Sequence, residues 1–384
     1  LRKDEAVPGP PFRRLLIANR GEIAIRVIRA CRDLGIESVA VYSDADAHAL
    51  HVSLADRAER IGTAPAAESY LSIDAILAAA RQSGAEAIHP GYGFLSENAT
   101  FADAVEAAGL VFIGPPATTL AALGDKLAAR RTASAAGAPI VPGLSVELQT
   151  DGAGPAADEL ARIGFPALLK AAAGGGGRGM RRVSSPADLP AALAGGSREA
   201  ASAFGDGSVY LEREIVPARH IEVQLLGDVT GRVVAIGERD CSIQRRHQKL
   251  VEEAPAPGLT IDERRELHAL AVRVAMAAGL VNAATAEFLR APDGSFYFLE
   301  VNTRLQVEHG VTELVSGLDL VQEQFWLAAG RPLSEGAISA AGRAAEPAGH
   351  AIEVRITAED PSRDFTPVPG RIQIGRAVQQ ECRD

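Results

Sequence analysis

The sequence predicts an α/β region followed by an α+β region. Two observations predict this. Strand-like and helix-like stretches alternate from residue 14 to about residue 114, and strand-like stretches crowd together from residue 209 onward. Leu15-Leu16-Ile17-Ala18 reads as a short buried strand, and Asn19-Arg20-Gly21 as a turn. From Glu22 to Leu34 the apolar residues Ile23, Val27, Ile28, Cys31 and Leu34 recur at helical spacing, and Gly35 is a helix stop. Ser38 to Tyr42 is the next strand. A second unit runs through a helix at Ser72–Ala80 to Ala87-Ile88-His89, and a third ends at Leu110–Gly114. Such alternation implies a parallel sheet covered by helices.

Past Pro115-Pro116 an Ala-rich helix is expected over Ala117–Ala136. A strand at Ala167–Lys170 precedes the glycine run Gly174–Gly177. Val209–Glu212, Ile221–Leu226, Val233–Ile236 and Phe296–Val301 read as antiparallel strands. Arg331–Gly349 reads as a polar linker, and Ala351–Ile356 as a last strand.

Composition excludes several classes. The net charge of -10 argues against a nucleic-acid-binding surface. No run approaches the roughly 20 apolar residues of a membrane span. Leu1–Pro11 is charged and then Pro-rich, with no apolar signal core. The 3 cysteines, Cys31, Cys241 and Cys382, have no paired spacing, which fits a reducing cytoplasm.

Three stretches carry chemistry. Consecutive glycines let a backbone approach a phosphate, although a flexible loop has the same composition. No Gly-Lys-Ser/Thr follows, so this is not a P-loop, and Asn19-Arg20-Gly21-Glu22 lacks the Gly-x-Gly-x-x-Gly of a dinucleotide fold. Lys170 closes a strand just before the run, where an ammonium meets a phosphate. In the second stretch, residues 298–308, Glu300, Asn302, Arg304, Gln306 and Glu308 alternate with mostly apolar neighbours. If this stretch stays extended, they share one face. A strand with one solvated face gives the same pattern. Yet a carboxylate and an amide oxygen suit Mg²⁺, an arginine and a glutamine suit a planar oxyanion, and a second carboxylate suits a base. Glu287, on the preceding apolar strand, offers the metal another carboxylate. The third stretch, Glu238–Lys249, is a basic cluster in an acidic chain: a solvated loop, a set of internal ion pairs, or a neutraliser of phosphates.

Together the stretches Ile17–Ala24, His89–Asn98, Gly124-Asp125-Lys126, the glycine run through Met180, Arg239–Pro257 and Glu300–His309 resemble the biotin carboxylase family of the ATP-grasp superfamily. The resemblance covers about Arg13 to Arg371. It implies a Rossmann-like N-terminal domain over 11–124 and an ATP-grasp domain over 125–330 with a mobile lid at about 141–213. It also implies the start of an incomplete C-terminal antiparallel-sheet domain over 347–373.

By resemblance, Lys126 and Lys170 contact ATP phosphates, Gly176 and Gly177 belong to the lid loop, and Glu212 to Ile215 form the adenine hinge. His220 and His247 lie near the nucleotide. Glu287, Glu300 and Asn302 resemble Mg²⁺ (or Mn²⁺) ligands, with Glu287 and Glu300 also part of the ATP site. Lys249, Arg304, Gln306 and the Val307 backbone resemble a bicarbonate cradle, with Glu308 as base and Arg355 beside carboxyphosphate and biotin. The implied partners are a biotin carboxyl carrier, a carboxyltransferase and a second copy of the chain. The carrier is separate, because neither Met180 nor Met276 sits in an Ala-Met-Lys-Met motif. The implied role is the first half-reaction of an acyl-CoA carboxylase.

Three residues depart from the family pattern: Ala173, Ala286 and Gly310. The nearest alternative is a carbamoyl-phosphate-synthase-like ligase, whose acceptor is ammonia. A non-catalytic nucleotide-binding protein is expected to have lost the metal carboxylates or Lys249, and all are present. Residues 374–384 resemble a translated sequencing adapter rather than natural protein. Truncation near Arg371 is expected to impair the chain's activity.

Overall fold

The computed structural model describes residues 9–146, 156–171, 180–204, 207–246, 248–368 and 370. The first layer is built from β1 (Arg14–Ile17), α1 (Gly21–Leu34), β2 (Glu37–Ser43), α2 (Leu50–Leu54), β3 (Arg57–Gly62), α3 (Ile73–Ser83), β4 (Ala87–His89), α4 (Ala99–Ala107) and β5 (Val111–Phe112). Its five strands are parallel, in the order β3-β2-β1-β4-β5. Ile23, Val27, Ile28 and Cys31 bury one face of α1, and Gly35 at φ 69° ends it, as the spacing predicts. The strand order reverses between β1 and β4, so a crevice opens beyond their carboxyl ends.

Two helices follow, α5 (Ala117–Gly124) and α6 (Lys126–Ala135), where one was expected. Asp125 breaks them. Its carboxylate accepts the Ala128 N–H at 2.6 Å and so caps α6, which puts Lys126 at the first helical position. The next layer contains β6 (Gly143–Val146), α7 (Ala157–Ile163), β7 (Ala167–Ala171), β8 (Arg181–Val183), α8 (Leu189–Phe204) and β9 (Val209–Arg213). Its strands form a small antiparallel sheet, β6-β9-β7-β8.

The elements that follow are β10 (Arg219–Gly227), β11 (Val233–Arg245), β12 (Gln248–Ala254), α9 (Ile261–Ala277), β13 (Asn282–Arg290), β14 (Phe296–Asn302), α10 (His309–Ser316), α11 (Leu320–Ala328), α12 (Glu335–Arg343) and β15 (Ala351–Val354), before a short two-stranded sheet of β16 (Glu359–Asp360) and β17 (Thr366–Pro367). Strands β10 to β15 make a six-stranded antiparallel sheet in the order β14-β13-β10-β11-β12-β15. β15 is its edge strand and ends two residues earlier than expected. The expected linker contains α12: Ser334 accepts the Ala337 N–H at 3.0 Å, and Ala337 and Ala340 are buried. A capped, Ala-rich stretch with one apolar face forms a helix whatever its overall polarity. Among the described residues no helix is long and apolar enough to cross a membrane. Cys31 and Cys241 are free and buried.

Candidate active site

Register builds the site. Glu300 on β14 pairs with Glu287 on β13, Glu287 with Glu222 on β10, and Glu222 with Arg239 on β11. One row across four strands therefore carries three carboxylates and a guanidinium. Arg239 is 0% exposed. Its Nε donates to Glu222 Oε1 at 2.6 Å, and its remaining nitrogens donate to Gln224, Thr312 and Thr285. The basic stretch is thus an antiparallel hairpin, β11–β12, with one arginine locked inside the protein. A charge this deep persists only when paired and hydrogen-bonded.

Lys249 on β12 points at the same row. Its Nζ donates to Glu308 Oε1 at 2.6 Å and to Glu287 Oε1 at 3.0 Å, and it also pairs with Glu222. Burial works against the ammonium, but Glu222 and Glu287 outweigh it and hold Lys249 well above its usual range. In return, burial would raise Glu287, but Lys249 and His220 hold it below the usual carboxylate range. His220 Nε2 lies 2.8 Å from Glu287 Oε2. Glu300 behaves differently. Burial first, and then the charge of Glu287, push its carboxyl up. Lys126 Nζ approaches it at 3.8 Å.

The expected extended face stops at Asn302, where β14 ends. Beyond it the chain turns, and α10 begins at His309. The alternating polar residues converge nevertheless, because the turn folds back over β13. Asn302 Nδ2 donates to Glu287 Oε1 at 2.8 Å, and Gln306 Nε2 reaches the same oxygen at 3.5 Å. Arg304 Nη2 donates to Asn302 Oδ1 at 3.1 Å, and Nη1 to Gln306 Oε1 at 3.2 Å. Glu308 is fully buried and takes two cations, Lys249 on Oε1 and Arg355 Nη2 on Oε2 at 2.8 Å. Arg355 Nε donates to Glu252 Oε1 at 2.6 Å.

A cleft of about 870 Å³ opens between the small sheet and the large one. Lys126, Lys170, His220, Lys249, Glu287, Glu300, Asn302, Arg304, Gln306, Val307 and Arg355 all line it, so most of the expected site residues meet there. Tyr92 and Gly93 reach it from the loop after β4, at the crevice of the parallel sheet. Glu212 and Ile215 do not line it. The Glu212 carboxylate is buried, accepting Arg130 Nη1 at 2.9 Å and pairing with Lys170. Gly176, Gly177, His247, Ala173 and residues 374–384 lie outside the described residues.

Sequence reasoning missed Glu222, Glu252, Arg130 and Glu97. Glu222 had a signal, since it stands with Gln224 among Ile221, Val223 and Leu225 on a strand that pairs on both sides. Two strand neighbours leave such a face little solvent.

Two carboxylates here are of the type that a divalent cation takes as ligands. Glu287 and Glu300 sit opposite each other on paired strands, with the Asn302 amide alongside. In this structure Lys249 and His220 hold the two Glu287 oxygens and Asn302 turns its Nδ2 to Glu287, so a cation bound here displaces these contacts. The trio His220, Glu222 and Glu287, whose donor atoms lie within 4.8 Å of one another, is already served by the Lys249 ammonium.

A cleft lined with lysines and carboxylates between a small and a large antiparallel sheet defines an ATP-grasp ligase. Residues 11–120 match the family "Biotin carboxylase, N-terminal domain", and residues 125–336 match "Carbamoyl-phosphate synthase L chain, ATP binding domain". The biotin carboxylase of Haemophilus influenzae is 49% identical over 366 residues, covering 94% of this chain and 78% of that protein. The propionyl-CoA carboxylase alpha chain of Ruegeria pomeroyi is 48% identical over 367 residues, covering 94% of this chain and 52% of that protein. A Campylobacter jejuni biotin carboxylase–β,γ-ATP complex superposes with a TM-score of 0.85 at 46% identity, covering 93% of this chain and 78% of that one. The Hydrogenobacter thermophilus 2-oxoglutarate carboxylase biotin carboxylase domain dimer, solved with MgADP, ADP and bicarbonate, gives 0.86 at 44% identity, covering 94% and 80%. The chain belongs to the biotin carboxylase family.

Proposed function

We propose that the chain carboxylates biotin with ATP and bicarbonate, through carboxyphosphate. The supporting observation is that Lys126, Lys170, Lys249, Arg304 and Gln306 line one cleft, with Glu308 held behind Lys249 and Arg355. Lys126 and Lys170 receive the phosphates, and His220 sits beside the nucleotide. Lys249, Arg304, Gln306 and the Val307 backbone hold bicarbonate. Glu308 takes its proton, and the freed oxygen attacks the γ-phosphorus as the bond to ADP breaks. Carboxyphosphate then gives CO₂ and phosphate, the phosphate takes the proton of the biotin ureido nitrogen, and that nitrogen attacks CO₂. Glu287, Glu300 and Asn302 are proposed to hold Mg²⁺ (or Mn²⁺), which offsets phosphate charge in the transfer. Arg304 and Arg355 then face the oxyanion that develops on the ureido ring.

The partners in this reading are a biotin carboxyl carrier, a carboxyltransferase and a second copy of the chain. The final acceptor is proposed to be an acyl-CoA, in line with the propionyl-CoA carboxylase relative. A relative from Methanothermobacter thermautotrophicus, 49% identical and named for pyruvate carboxylase, makes pyruvate the acceptor to exclude. A cytoplasmic location accords with the two free, buried cysteines.

ATP hydrolysis by the chain, measured with bicarbonate, tests the reading. Free biotin is expected to raise it and to yield carboxybiotin. In the intact parent protein, Arg304→Ala is expected to lower that rate on the order of 100-fold. Stimulation by ammonia instead, with none by biotin, supports the carbamoyl-phosphate type of ligase suggested by the second family match and refutes the proposal.

A further inference from the structure

Arg304 sits in a segment that cannot orient it alone. Its other partners, Asn302, Leu305 and Gln306, lie within two residues of it in the chain. They move with it if the turn after β14 shifts. One contact comes from elsewhere. Glu97, in the loop between β4 and α4, accepts Arg304 Nε on Oε2 at 2.8 Å and the Thr303 backbone N–H on Oε1 at 3.1 Å. One carboxylate thus fixes both the backbone leading into Arg304 and the inner edge of its guanidinium. Nη1 and Nη2 carry the contacts within the turn, to Leu305, Gln306 and Asn302, and Arg304 lines the cleft while Glu97 does not.

The loop that presents Glu97 is itself rigidly built. Asn19, just past β1, donates through Nδ2 to Pro90 O at 2.7 Å and to Tyr92 O at 2.8 Å. Gly91 has φ 65°, and a Cβ there would lie 2.8 Å from Asn19 Nδ2, so only glycine admits this approach. Phe94 stacks on Tyr70 with ring centroids 4.9 Å apart, and Leu95 and Ser96 are buried. The parallel sheet therefore holds Glu97 at a fixed point, and Glu97 holds Arg304.

We propose that Glu97 is a positioning residue for Arg304, transmitting the geometry of the parallel sheet to the reacting arginine in the turn that follows the antiparallel one. The proposal rests on the carboxylase reading for its consequence in turnover, and on geometry alone for the contact.

Two measurements on the whole chain test it. In ¹⁵N-arginine-labelled protein, the Arg304 Nε–H signal is identified by its loss in Arg304→Lys. Glu97→Ala is expected to shift that signal and speed its exchange with water about tenfold or more, with Glu97→Gln giving a smaller change because one acceptor survives. An unchanged signal overturns the proposal whether or not the chain carboxylates biotin, so its failure is separable from that of the carboxylase reading. In turnover, Glu97→Ala is expected to lower kcat about tenfold, to leave the KM for ATP within about twofold, and to have no further effect in an Arg304→Ala background. A loss that persists at full size in that background makes Glu97 a general staple between the two sheets and also overturns the proposal. If Glu97→Ala does not fold, Glu97→Gln carries both comparisons.

Discussion

The five-stranded parallel sheet is buried with apolar residues, while the six-stranded antiparallel sheet buries an apolar face, with Ile221, Val223, Leu225 and Phe288, and also a row of charged and polar residues. Leu15, Leu16, Ile17, Val39, Val41 and Ile88 fill the first, all 0% exposed. The central strands of the second put Glu222, Gln224, Arg239 and Thr285 at the same 0% exposure. Apolar burial favours the first sheet roughly in proportion to area. The second must balance desolvation against pairing, which it does by giving Arg239, Lys249 and Arg355 to Glu222, Glu287, Glu308 and Glu252. The difference teaches that one sheet supplies a rigid frame and the other keeps an apolar face but gives its opposite face to charge held in a fixed array. Preorganised charge of this kind needs no rearrangement when a reaction develops charge beside it.

The sharpest break in this comparison is Arg239→Met. It removes the Arg239 donor from Gln224, Thr285, Thr312 and one oxygen of Glu222, whose other oxygen keeps Lys249, and a stability loss of about 3–5 kcal/mol is expected in urea unfolding, with loss of carboxylation. A loss within about 0.5 kcal/mol would mean that pairing contributes nothing net to the second sheet. Leu16→Ala in the parallel sheet is expected to cost about 2–5 kcal/mol, since Leu16 packs among Val39, Val41 and Ile88. Its kcat in folded protein is expected to stay at the wild-type value. A fall in kcat would show that the frame and the charged array are not separable.

The smallest effect is read from histidine titration by NMR. Burial pushes His89, at the end of β4, down to about 4 from 6.5, with Gln324 opposing. Burial also acts against the charged form of His220, but Glu287 outweighs it and raises His220 above 6.5. The consequences have opposite sign. Between pH 6.5 and about 4 the unfolded chain takes up a proton at position 89 that the folded chain refuses, so stability falls as pH drops through that window. The His220 contribution is fully present below pH 6.5 and is lost as pH rises through its raised folded value. Glu287→Gln is expected to bring His220 below 6.5 and leave His89 where it is. Two histidines titrating alike in the wild type would erase the distinction between the sheets.

Local signals explain what was readable. The stripe along α1 and its Gly35 stop lie within one helix, and the β1–β2 and β4–β5 units were placed to within about two residues because their apolar runs are short and bounded. Lys249, Arg304, Gln306 and Glu308 were legible as a dense set of reactive types in two short stretches. The split at Asp125 and the helix α12 were not read, since a single capping side chain decides each.

By itself the sequence determined the alternation of elements, the family pattern and the kinds of groups available, because these depend on neighbours along the chain. Only the tertiary structure decided which groups meet. Glu222 reads as one polar residue on a strand, and it becomes a buried partner of Arg239 and Lys249 because β10 lies between β13 and β11. Glu97 and Arg304 are 207 residues apart, and the fold brings them to 2.8 Å. Strand register and the close approach of Asn19 to Gly91 set such pairings, and both are properties of packing across the fold rather than of any single segment.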